Sequence, residues 1–224
     1  MRLYFLDPSS RAAINVATLR KCGYNVRRIV VETVESLDAL VVIGNGSPDD
    51  KVLGTLSYHL DGGKVVGVVK PRKMTRLSVL DQLKTYLSPK IKKIMILIDQ
   101  ENLSLDNLFN DALSRIRRIG ISVSDIEEMD RLRVYQCTLA DKEFKVIIVA
   151  NGLEEVRTQT HTIEDHLTKA AGVDVTENSK QSWNSLAQNE RDEVFRELKG
   201  KKRDAIEKLF PQQVYGCKRL KDEQ

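Results

Sequence analysis

Lys92-Lys93-Ile94-Met95-Ile96-Leu97-Ile98-Asp99-Gln100-Glu101-Asn102-Leu103-Ser104 passes from two lysines through five consecutive apolar residues to two carboxylates one residue apart. An apolar run bounded by charge predicts a strand buried on both faces, the pattern of a parallel sheet. In open α/β sheets, ligands gather beyond the carboxyl ends of the strands. Asp99 and Glu101 therefore fall where chemistry is expected. Residues two apart on an extended segment share a side, so the pair is expected to share one divalent cation, Mg2+ or Mn2+. Magnesium is commonly held by one or two carboxylates, several waters and phosphate oxygens. A helix follows at once. Ser104 suits its N-cap and Asp106 its first turn. Leu105, Leu108, Phe109, Ala112, Leu113, Ile116 and Ile119 form one apolar face. Arg115, Arg117 and Arg118 suit the negative end of the helix dipole, and Gly120 the stop.

Outward from this unit, strands are expected at 2–6, 25–31, 38–43 and 64–69. Helices are expected at 12–22, at 52–60 and from Ser78 to Pro89. After Gly120, 131–138 and 144–149 read as an antiparallel hairpin at the sheet edge, and 158–172 contains a further helix. The alternation predicts an α/β, three-layer, mostly parallel sheet. Residues 1–172 would form this domain, with 1–39 an added strand–helix–strand unit. Residues 173–224 would form a helical C-terminal appendage packed on the sheet or on a partner, with helices near 189–198 and 202–210. A homodimer through those helices is one expectation.

With 224 residues, 41% hydrophobic and 30% charged, the composition is that of an ordinary globular chain. No apolar run approaches the roughly 20 residues of a membrane span. The first residues read as a strand rather than a signal peptide. Cys22, Cys137 and Cys217 have neither zinc spacing nor a disulfide framework. A cytoplasmic location is expected. A net charge of +4 permits a nucleic-acid partner without requiring one.

Three further stretches carry chemistry. Gly44-Asn45-Gly46 follows a strand, but the third glycine of a dinucleotide fingerprint would fall at Asp49, and no P-loop lysine follows. A tight turn explains it as well. Lys70-Pro71-Arg72-Lys73-Met74-Thr75-Arg76 is a basic loop. If the strands on either side of it are parallel, its cations and the acidic pair face one cleft, a layout suited to metal and phosphate. In His161-Thr162-Ile163-Glu164-Asp165-His166, His161 and Asp165 are spaced to pair, and the two acids also suit a helix start. Asp49 and Asp50 are further acidic candidates. The run from Lys199 to Arg203 lacks the interleaved aromatics that stack bases.

Residues from about 40 to 172 resemble the Toprim domain of topoisomerases, primases and small nucleases. The resemblance rests on Leu40-Val41-Val42-Ile43-Gly44 with Asp49-Asp50, on Ile96-Leu97-Ile98-Asp99-Gln100-Glu101, and on Ile163-Glu164-Asp165. It implies metal ligation by Asp99 and Glu101, where Asp-x-Asp is usual, and by Glu164 and Asp165 as the late acidic pair. Gly44 matches the motif glycine. Ile43 stands where the family carries its general acid/base glutamate, and Glu32 is the alternative donor. The implied function is Mg2+-dependent phosphodiester cleavage on nucleic acid. Asp99, Glu101 and Glu32 would be catalytic, and Gly44, Gly46, Lys70, Arg72, Lys73 and Arg76 would bind phosphate. The alternatives are a non-catalytic nucleic-acid binder on the same scaffold, and a flavodoxin-like protein holding a small phosphorylated ligand at 44–47.

Overall fold

A computed structural model describes residues 1–44, 46, 48–72, 74, 76–175 and 177–221. In chain order the elements are β1 (Arg2–Phe5), α1 (Arg11–Thr18), α2 (Val26–Ile29), β2 (Ala39–Ile43), α3 (Asp49–His59), β3 (Val65–Val69), α4 (Leu83–Tyr86), β4 (Lys93–Asp99) and α5 (Leu105–Arg118). Then come β5 (Ser122–Met129), β6 (Leu132–Leu139), β7 (Lys142–Asn151), α6 (Ile163–Ala171), α7 (Ser179–Ser185), α8 (Gln188–Gly200), α9 (Arg203–Leu209) and α10 (Pro211–Lys221). Short 3-10 turns lie at Leu19–Cys22 and Arg76–Gln82.

The strands form one seven-stranded sheet in the order β1-β3-β2-β4-β7-β6-β5. The first five run parallel, so their carboxyl ends share one edge; β6 runs opposite to them, and β5 pairs antiparallel with β6. Alternate residues of β4 enter separate apolar clusters. Met95 and Leu97 pack with α1, α3, α6 and the C-terminal helices, whereas Ile94, Ile96 and Ile98 pack with α4 and α5. Both faces of the strand are therefore covered, as the unbroken apolar run requires. From β2 the chain moves to one side, toward β3; from β4 it moves to the other, ending in β7. The crevice between the β2 and β4 ends is thus a point where the strand order reverses, the usual place for a ligand in such sheets.

Three expectations change. The stretch at 25–31 is the helical turn α2, which buries Ile29 while Arg28 stays exposed; only Val30 bridges β1, at Leu3. The antiparallel pair exists as β6 and β7, but β7 lies between β4 and β6, and the edge strand is β5. β5 escaped the sequence reading because five of its eight residues are polar and a bulge between Val123 and Asp125 breaks the alternation. Such a polar, irregular edge resists pairing with another chain.

The segment after residue 173 lies on the sheet. Trp183, Phe195, Leu198, Phe210, Val214 and Leu220 share a cluster with Val41, Met95 and Val149. Pro211 opens α10 instead of following a final helix, which suits its missing N–H. A Cβ on Gly216 would lie 2.7 Å from Met95 Sδ and 2.8 Å from Val149 Cγ2, so glycine lets α10 approach the sheet. Val194, Phe195, Leu198, Ile206, Val214 and Leu220, on α8, α9 and α10, are thus buried within their own chain. No helix among the described residues is long and apolar enough to cross a membrane.

Candidate functional site at the carboxyl edge

Described residues from the segments after β2, β3, β4 and β7 meet at this edge. β2 ends in Gly44, whose N–H donates to Leu97 O at 2.8 Å, while its carbonyl accepts from Arg76 N at 2.8 Å. A Cβ on Gly44 would lie 2.7 Å from Ile98 Cγ2 and 2.9 Å from Leu97 O, so a larger residue would push β2 and β4 apart. This glycine closes the strand ends together. Its N–H is already bonded and does not face a phosphate, contrary to its expected role. Gly46 is exposed; Asn45 and Ser47 lie outside the described residues.

Beyond that turn, Asp49 and Asp50 sit in the first turn of α3, where the dipole favours acids. Asp99 ends β4, and Asn151 ends the neighbouring β7. The Asn151 amide nitrogen donates to Asp49 Oδ1 at 2.7 Å and to Asp99 Oδ1 at 3.0 Å. Asp99 Oδ1 also accepts from Ile163 N at 3.1 Å, satisfying a donor at the start of α6. Glu164 follows in that first turn. Asp49, Asp99 and Glu164 are only 2%, 8% and 4% exposed.

Burial pushes the Asp49 carboxyl well above its ordinary range, and the charges of Asp99, Glu164 and Asp50 push it further, against the Asn151 hydrogen bond. Burial, then the charge of Asp99, raises Glu164 to about 7. Neither Asp49 nor Glu164 forms an ion pair among the described residues. Three like-charged groups thus crowd one crevice, a state relieved by protons or by a cation. Among the described residues, no group of three or more His, Cys, Asp or Glu could hold a metal ion. An ion held by one or two carboxylates and completed by water and phosphate, as magnesium often is, needs no such group.

The other expected ligands have different partners. Glu101 adopts φ +55°, so the alternation that would have aligned it with Asp99 stops there. Its backbone pairs with His161, its N–H donating to His161 O at 2.7 Å, and its carboxylate binds Arg76. Asp165 Oδ2 accepts from Leu153 N at 3.0 Å and contacts His161 Nδ1 at 2.8 Å, so this oxygen anchors the loop, while Oδ1 is buried without a hydrogen-bond partner among the described residues. Glu32 is exposed beyond the outer side of β1. Val30, two residues before it, borders β1 on the side away from β3, so β1, β3 and β2 separate that bridge from β4, about 19 Å at about 4.8 Å per strand.

The basic loop does discharge at this edge, because β3 and β4 both run parallel to β2. Lys70 Nζ lies 3.3 Å from Asp50, which also accepts from Asn15 at 2.8 Å. Arg72 lies 3.2 Å from Asp7 with 84% of its side chain exposed, so the pair restrains it weakly. Lys73 lies outside the described residues.

A layer beneath the acids was not foreseen. His166 is fully buried and stacks on Phe210 at 5.3 Å. Its Nδ1 lies 2.6 Å from Leu209 O, and its Nε2 faces the Gln212 and Gln213 amide nitrogens at 3.0 and 3.1 Å. Burial lowers its pKa to about 4, keeping the ring neutral. Gln213 Nε2 also donates to Asn151 Oδ1 at 2.9 Å, which turns the Asn151 amide toward Asp49 and Asp99. Asn151 had a readable signal: it ends the apolar run 146–150 as Asp99 ends 94–98. The glutamines had none, since α10 reaches the site only through the fold. Compared with models of known families, with curated proteins and with solved structures, the chain matches none.

Proposed function

We propose that this chain is a Toprim-like, three-layer α/β protein that binds nucleic acid and cleaves a phosphodiester with Mg2+ or Mn2+. The observation that carries the reading is the crowding of Asp49, Asp99 and Glu164, all buried, at the strand-order reversal, with no ion pair to Asp49 or Glu164 among the described residues. Asp99 and Glu164 would hold the cation, with Asp49 beside them. A bound divalent cation supplies charge neutralisation at the phosphate and a more acidic water. Asn151 fixes the orientation of Asp49 and Asp99 through its two donated hydrogen bonds. Arg72 and Arg76, on the neighbouring loop, provide cations for the phosphate backbone. Three buried free cysteines fit a reducing cytoplasm.

The test is cleavage of labelled single- and double-stranded DNA and RNA in MnCl2, MgCl2 or EDTA. Metal-dependent cleavage that Asp99→Asn abolishes supports the proposal; no cleavage of any of the four substrates overturns it. One observation favours a non-catalytic binder instead. Ile43, 1% exposed, fills the position of the expected glutamate with an apolar side chain. That reading is supported by salt-sensitive binding without cleavage, weakened by Arg72→Ala.

A further inference from the structure

We propose that His161, oriented by Asp165, is the catalytic residue that accepts the proton of the attacking water; this rests on the phosphodiester-cleaving function proposed above. Asp165 is fully buried, and its Oδ2 meets both Leu153 N at 3.0 Å and His161 Nδ1 at 2.8 Å. A carboxylate at Nδ1 keeps the proton on that nitrogen and leaves Nε2 as the acceptor. Nε2 has no hydrogen-bond partner among the described residues, and 17% of the side chain is exposed. The other two histidines lack this freedom. His59 Nε2 lies 2.9 Å from Leu198 O, and His166 is fully buried with both ring nitrogens engaged.

The backbone is held as firmly as the ring. His161 N donates to Glu101 O at 3.0 Å and its carbonyl accepts from Glu101 N at 2.7 Å, fastening it to the segment just beyond β4. Gly152, at φ +127°, passes so close that a Cβ there would lie 2.5 Å from His161 Cβ. Two residues later, Ile163 N binds Asp99. The loop that carries the ring therefore also touches the acid cluster. The charged groups around it are Asp165 on its own loop and helix, Glu101 with its partner Arg76 after β4, and Arg131, whose Nη1 lies 3.0 Å from the same built Cβ on Gly152. The site needs such a group because Ile43 supplies no carboxyl.

In the step, water oxygen bonds to phosphorus while one water proton passes to His161 Nε2. The P–O ester bond breaks, and the leaving oxygen takes a proton from solvent water. His161 then returns its proton to solvent. The sum is one water consumed, with one phosphomonoester and one alcohol formed.

The test uses the full chain with His161→Ala, which retains the Cβ that Gly152 packs against, and a fluorescent oligonucleotide in MnCl2. General-base catalysis typically contributes about 100-fold or more. The single-turnover rate should fall by about that factor, oligonucleotide affinity by anisotropy should not change, and added imidazole should restore part of the rate. Asp165→Asn should slow cleavage without rescue by imidazole. If His161→Ala fails to fold by circular dichroism, His161→Asn replaces it. A native rate in the variant, or a loss that includes affinity and ignores imidazole, overturns the proposal while leaving the cleavage reading intact. No cleavage by the native chain overturns both.

Discussion

Replacing Glu164 with glutamine removes one charge from the crevice and keeps the shape. In the folded chain Glu164 holds its proton up to about 7, against an ordinary 4.5, chiefly because it is buried and secondly because of Asp99. The folded state therefore binds more protons than the unfolded chain in this window, and stability falls as pH rises from 4.5 to about 7. Each pH unit by which a pKa moves on folding is worth about 1.4 kcal/mol, so Glu164 by itself should remove about 3 kcal/mol of stability across it. His166 has the opposite slope. Its pKa drops from 6.5 to about 4 on burial, so it loses stability as pH falls through that range. Asp49, whose carboxyl is also raised, adds to the Glu164 slope while His166 opposes it, so the difference between variant and native is the informative quantity. Urea denaturation from pH 4.5 to 8 should show Glu164→Gln gaining about 3 kcal/mol relative to native as pH rises. Saturating MgCl2 should reduce that gain by stabilising the native chain at high pH. A pH-independent difference would refute the claim that Glu164 is a buried acid crowded by Asp99.

Histidine 15N NMR should show His166 neutral down to about pH 4; titration near 6.5 would contradict its burial in the Gln212–Gln213 layer. Gly44→Ala should cost about 1–3 kcal/mol by overpacking, seen as a lower urea midpoint with an unchanged slope, because the added methyl meets Ile98 and the Leu97 carbonyl. Phe210→Ala should cost about 3–5 kcal/mol, since Phe210 is fully buried in the sheet's own cluster. A cost under about 1 kcal/mol, as is usual at the surface, would mean the C-terminal helices are peripheral.

The parallel core was legible because period and capping acted locally. The 94–98 run is β4, and Ser104 caps α5 by accepting from Asn107 N at 3.2 Å. Gly23, at φ +82°, ends the first helical segment as expected. The acidic edge was legible through Asp99 and through Asp49, named as a further candidate. Regularity is legible only as far as it lasts. Alternation aligns Glu101 with Asp99 on extended backbone alone, and that stops where φ turns positive. Glu32 follows a stretch whose apolar pattern suits a strand but which folds as a helical turn. The late motif divided its roles: Glu164 joined the acids, whereas Asp165 turned to His161. Asn151, Gln212 and Gln213 are neutral side chains, without the charge that singles out an acid in a sequence. They matter here because the sheet order sets β7 beside β4, and because the absence of a side chain on Gly216 admits α10.

The most direct measurement is anomalous scattering from crystals soaked in MnCl2. A manganese peak contacting Asp99 and Glu164, lost in Asp99→Asn crystals, is the result this account predicts. A crevice without a peak under saturating manganese, or a peak held at Glu101 instead, would contradict it.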